Sequence, residues 1–336
     1  MSYETGTASS PGEMLAKLYD FASANGWTID DDIADDTKVP AWGTIHKNNH
    51  YITTQFDSDK IKMYPARGFG NSATIPGQHP GSAHAASFSS ANYGQRVLGM
   101  AGGIAAYHFF ESDTYIHIVL DLDGLHFRHF GFGEAIKTGD WLGGEYCYGH
   151  TWPATGSGQA NDIVGPGKNG PFGAFGISSG AYYGSAVIYG KRSDGSALPG
   201  SNAAGSKWGI VSSYSTAEGT FDIDGDQYNN FYAINGHDGG FASRILSAGT
   251  GALNGFTPMI PMQWGIVDTA ATPNNFYILG SYPDVRAINM VAQTISGERV
   301  VDTDTWVTFP VTRMDLATAT DQYSANFGLA YRKITT

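Results

Sequence analysis

The chain has a single cysteine, Cys147, in 336 residues, which excludes an intrachain disulfide framework. Charge is also scarce. Asp, Glu, Lys and Arg make up 15% of the sequence, against the ~25% usual for globular domains, so long charge-laced helices are not expected. No apolar run approaches the ~18 residues of a membrane-spanning helix. The opening MSYETGTASSPGEM carries neither a basic nor an apolar leader region, and the expectation is synthesis in a cytoplasm. Basic residues are in deficit, with 19 Lys and Arg against 31 Asp and Glu and a formal net charge of −12. That balance argues against a nucleic-acid or anionic-membrane surface. Phosphate-loop spacing is missing from Gly165-Pro-Gly-Lys-Asn-Gly.

Glycine and aromatic residues are plentiful: 45 Gly, 19 Tyr, 18 Phe and 7 Trp. Short strands, tight turns and large side chains filling flat cores or subunit contacts suit this composition. The fold expected is mainly β (α+β), an antiparallel β-sandwich or β-meander sheets with one N-terminal helix. Ser10 as N-cap, Pro11, a capping box closed by Glu13 and the stop Asn25-Gly26 predict that helix over about 11–25. Alternating runs predict strands over 42–46, 51–56 and 60–64, then a strand region over 99–110. Further strands are expected at 182–189, 208–214, 221–223, 230–234, 276–279, 285–290, 299–301, 306–309 and 327–331. Three regions follow: 1–152 with helix, meander and hairpin, a Gly-rich stretch 153–206, and a C-terminal β region 207–336 packed on the first, or all three as one domain.

Histidines 117, 126, 129 and 150 invite a metal-enzyme reading. Asp123-Gly124 reads as a two-residue hairpin turn, pairing Leu120 with Phe127, Ile118 with His129 and His117 with Phe130. In that register His117 and His129 lie on opposite faces and share no ion, while His126 faces Asp121. Such a pair can orient a base, and a nucleophile would then be required. The reading is a cross-strand polar pair, with His129 a core histidine, no catalytic residue and no cofactor. Cys147, between two tyrosines, reads as a buried apolar residue. Asp222, Asp224 and Asp226 resemble the start of a calcium loop, but Gln227 and Ala233 stand where Gly and Glu are needed. A turn between strands is the better reading, with a weak calcium possibility retained.

Several segments together resemble a family of tailed-bacteriophage virion structural proteins. These are Tyr3 to Ala8 with the helix and Asn25-Gly26-Trp27, the stretch Tyr51 to Tyr64, and Gln78-His79-Pro80-Gly81, where His79 interrupts a Gln-Pro-Gly. They continue with Asp123-Gly124 before His129 to Gly133, and with Asp140 to Gly144. The series ends on Gly280, Val285 to Ile288, Glu298, Trp306 to Phe309 and Leu329 to Arg332. The resemblance implies a tail, baseplate or neck component located in the virion and made in the bacterial host. Its partners would be other virion proteins and copies of itself, without nucleic acid or membrane. It brings no catalytic residues. The alternative is a host-surface receptor- or glycan-binding tail protein, and a third reading is an enzyme on surface polysaccharide.

Overall fold

The computed structural model describes residues 2–33, 41–57, 60–74, 78–82, 95–97, 104–124, 126–149, 186–195, 208–213, 221–222, 227–228, 231–233, 257–268, 275–290, 293–310 and 327–334. The chain is mainly β with one described helix, and its sheets are almost wholly antiparallel. It forms two compact units. One comprises Met1–Gly133, Cys147–Gly165 and Ile334–Thr336; the other comprises Glu134–Tyr146 and Pro166–Lys333. The region boundaries expected at 152 and 206 fall outside the described residues.

The first unit begins with β1 (Ser2–Ala8) and α1 (Pro11–Ala24), followed by β2 (Thr28–Asp31), β3 (Trp42–Lys47), β4 (His50–Asp57), β5 (Lys60–Ala66) and β6 (Gln95–Val97). It continues through β7 (Ile104–Ser112), β8 (Tyr115–Asp121) and β9 (Phe127–Glu134). Strands β2 to β6 pair in sequence order as an antiparallel meander. A second antiparallel sheet runs β1-β7-β8-β9. Asn48, with φ +55, makes the tight β3–β4 turn in which Lys47 pairs with His50.

Helix α1 forms where its capping and stripe predict. The Ser10 hydroxyl accepts the Glu13 N–H at 3.1 Å. The Glu13 carboxylate does not complete the expected capping box. It accepts from the Ser9 N–H at 2.8 Å and the Ser9 hydroxyl, one residue earlier, and pairs with Lys17 at 3.1 Å. Those Ser9 bonds, then Lys17, hold the exposed carboxyl at about 2. Asn25 and Gly26, the latter at φ +80, close the other end on Ala22 and Ser23. The stripe Met14, Leu15, Leu18, Tyr19, Phe21 and Ala22 is buried. Phe21 packs on Phe109 of β7 at 5.4 Å, and the Tyr19 hydroxyl bonds Thr54 of β4 at 3.0 Å. One helix thus seals the core of both sheets.

The second unit holds β10 (Ile136–Lys137), the start of β11 (Leu142–Gly149), β12 (Ala186–Lys191), β13 (Trp208–Ser213), β14 (Phe221–Asp222), β15 (Gln227–Tyr228) and β16 (Phe231–Ala233). It ends with β17 (Ile260–Asp268), β18 (Asn275–Asn289), β19 (Gly297–Val301), β20 (Asp304–Pro310) and β21 (Phe327–Lys333). Its sheet runs β12-β13-β16-β17-β18-β21-β20-β19, with β10 also on β18 and one parallel step, β13 to β16. The two strands expected at 276–279 and 285–290 are one long β18. It bulges where Tyr282, Pro283 and Asp284 interrupt the ladder to β17, with Asp284 at φ +52. Arg332 holds this bulge, reaching Asp284 at 3.4 Å and Asp304 at 2.7 Å. Ile288, Met290, Trp306 and Ala330 form a core there. Trp141 donates to the Leu279 carbonyl at 3.0 Å and meets Trp264 edge-on at 5.3 Å.

Candidate functional site

The chemistry-bearing residues of the sequence concentrate on the β8–β9 hairpin, and its register differs from the expected one by a residue. Ile118 pairs with Phe130, Val119 with His129, and His117 with Gly131. The Leu122 N–H donates to the His126 carbonyl at 3.0 Å. Three positions therefore separate Leu122 from His126 where a two-residue turn was expected one pair further in, with Gly124 at φ +83. This slip exchanges the faces. His117 and His129 share one face with Val119, Asp121 and Phe127, while His126 and Arg128 lie on the other with Ile118 and Phe130. The opposite-face argument against a shared ion is thereby corrected.

Geometry gives His117, Asp121, His126 and Arg128 separate partners. His117 is fully buried, and its Nδ1 lies 2.9 Å from the Tyr148 hydroxyl of β11. Its ring stacks on Tyr115 at 4.4 Å. Gly131, opposite His117, leaves the space that the Tyr148 ring fills. His126 is not paired with Asp121, as expected; its Nδ1 lies 2.6 Å from the Asp123 carboxylate. Asp121 instead closes the turn, one oxygen accepting the N–H of Asp123 at 3.1 Å and of Gly124 at 2.5 Å. Burial raises its carboxyl above the usual range, against the pull of these two bonds. Arg128 donates to the Phe127 carbonyl at 2.9 Å. His150 and Leu125 lie outside the described residues. Among the described residues, no three His, Cys, Asp or Glu converge as metal ligands.

Cys147 is buried beside Met63 at 4.0 Å, and burial drives its thiol well up. Strands β14 and β15 pair Phe221 with Tyr228 and Asp222 with Gln227. The backbone flanking the Asp222 turn is therefore strand, where a helix–loop–helix calcium site needs helices. Asp224 and Asp226 lie outside the described residues. His79, which interrupts the Gln-Pro-Gly resemblance, has its own structural place. It is buried, accepts the Gly70 N–H at 3.1 Å, stacks on Phe69 at 5.1 Å, and is lowered by burial.

Three buried polar residues escaped the sequence reading. Glu111 of β7, 1% exposed, pairs with Lys47 at 3.2 Å. His108 bonds the Tyr3 hydroxyl at 2.9 Å. His50 is buried edge-on to Phe132 at 6.1 Å. The one signal for two of them was the run Ile104 to Ser112, where His108 and Glu111 interrupt apolar residues. What this arrangement offers is packing, turn closure and sheet-to-sheet fastening. The sequence matches no protein-family model and no curated protein.

Proposed function

We propose that this chain is a structural component of a tailed-bacteriophage particle, in the tail, baseplate or neck, working as a symmetric oligomer and without catalytic turnover. The observation that carries the reading is how the hairpin uses its titratable groups. His117 is spent on Tyr148, Asp121 on two turn N–H groups, and His126 on Asp123. A hydrolase leaves such groups facing a cleft. The series of family-like segments from Tyr3 to Arg332 supports the particle role. The large apolar side chains exposed among the described residues are aliphatic: Ile136, Leu142, Ile278, Val300 and Val301. Aliphatic exposure favours protein contacts over the aromatic stacking of a glycan-binding tail protein. No helix among the described residues is long and apolar enough to cross a membrane. A map of the intact particle tests the proposal: density for this chain in symmetric copies supports it, and a particle fully accounted for by other chains overturns it.

A further inference from the structure

We propose that Arg286 of β18 is a binding site for a carboxylate, held ready by the Trp306 ring on which its guanidinium stacks. The guanidinium carbon lies 4.8 Å from the Trp306 ring centroid. Trp306 of β20 is 3% exposed and fixed in the core with Ile288, Met290 and Ala330, against which Met259 packs. Arg286 itself is only partly buried. Register explains the stack. Arg286 pairs with Ala330 of β21, and Ala330 pairs with Thr308 of β20. Arg286, Ala330, Thr308 and Trp306 therefore share one face of the sheet. Ala330 is small enough for the indole to reach across β21 to the arginine.

Among the described residues, the Arg286 guanidinium is paired with no acid. Its cross-strand neighbours, Ala330 and Pro261 of β17, carry no side-chain acceptor. Asp284, the closest acid in sequence, is taken by Arg332, which also holds Asp304. Acids are not scarce in this chain, with 31 Asp and Glu against 19 Lys and Arg. Arg332 shows how the same sheet treats a structural guanidinium: two carboxylates neutralise it. Arg286 is stacked instead, which covers one flat face and leaves the donors along its edge unbonded. A planar fork in a fixed orientation matches the two oxygens of one carboxylate in geometry and in charge. Stacking also removes rotamer freedom that binding would otherwise have to freeze out. A phosphate monoester carries more negative charge than one guanidinium balances, so a carboxylate is the class that fits. It can belong to a small organic acid or to an acidic side chain of another protein. The inference uses these contacts alone and is independent of the particle role.

NMR titration of the full chain, isotope-labelled at arginine and tryptophan, tests it. The Nε–H signal of Arg286 is identified by its loss in Arg286→Lys. Sodium acetate and a capped tetraglutamate peptide are each added at an ionic strength held constant with sodium chloride. Both should move the Arg286 signal saturably. The Arg332 signal, already closed by Asp284 and Asp304, should stay in place. The Trp306 indole N–H reports binding in the variants, with thermal melting confirming that each folds. Affinity should fall about tenfold in Arg286→Lys, which keeps the charge and loses the fork, and binding should vanish in Arg286→Gln. Tighter binding per carboxylate by the peptide supports the site with a protein partner, and equal or tighter binding by acetate supports it with a small acid. No saturable shift at Arg286, an equal shift at Arg332, or undiminished binding in Arg286→Gln overturns the proposal. So does inorganic phosphate binding more tightly than acetate, which assigns the site to a different anion.

Discussion

His117 and Tyr148, 31 residues apart in sequence, meet through a 2.9 Å bond between Nδ1 and the phenol hydroxyl, in a region closed to solvent. Gly131 makes this possible. A methyl there would stand 2.6 Å from the Ile116 carbonyl oxygen and 2.8 Å from the Tyr148 ring. Gly131→Ala should therefore cost about 2 kcal/mol or more by overpacking, read from denaturant midpoints. Tyr148→Phe, losing one buried hydrogen bond, should cost ~1–3 kcal/mol. Tyr148→Leu should not rescue Gly131→Ala, because the closest clash is with backbone; full rescue would contradict this geometry.

Leu18 is completely buried in the stripe of α1. Leu18→Ala should cost ~2–5 kcal/mol. Leu18→Asp, placing an unpaired charge in the core, should abolish soluble expression. Wild-type solubility of Leu18→Asp would show that the helix does not seal the core.

Two buried imidazoles set an acid limit. Burial, then the nearby Arg67 charge, lowers His50 to about 3, and burial lowers His108 to about 4. The unfolded chain binds these protons near ~6.5, so the stability from each neutral ring is full above that pH. It is lost as pH falls towards 4 and then 3, each group adding up to ~1.4 kcal/mol per pH unit. Thermal midpoints measured from pH 7 to 4 should fall, and more gently in His50→Leu. A slope unchanged in that variant would contradict the assignment.

Much of the fold was legible in the sequence, because local chemistry and tertiary packing agree there. The Ser10 cap, the helical stripe and the Asn48 turn all act within a few residues. The hairpin register was not legible, since β8 and β9 are buried on both faces and apolar alternation then fixes no face. Asp123-Gly124 suggested a two-residue turn, while the Asp121 carboxylate stabilises a longer one. Strand β1 was also missed. Ser2 to Ala8 has no apolar alternation, and it is extended because it pairs with β7. The site suffered most, since partners such as Tyr148 for His117 come from non-adjacent strands.

Removal of metal should change nothing. The turn carboxylates Asp121 and Asp123 hold backbone N–H groups or His126, and His117 is engaged by Tyr148. A chelator should leave the thermal midpoint unchanged, and elemental analysis should find no stoichiometric transition metal. A chelator-dependent drop would point to calcium at Asp222, Asp224 and Asp226.

The most direct test of the proposed particle role is quantitative mass spectrometry of infectious phage particles purified from a culture that produces this chain. The proposed function predicts the chain in every preparation, at a fixed multiple-copy ratio to the other virion proteins. Its absence from particles contradicts the proposal, and the contradiction is complete if the free chain shows hydrolytic turnover that Asp121→Asn abolishes.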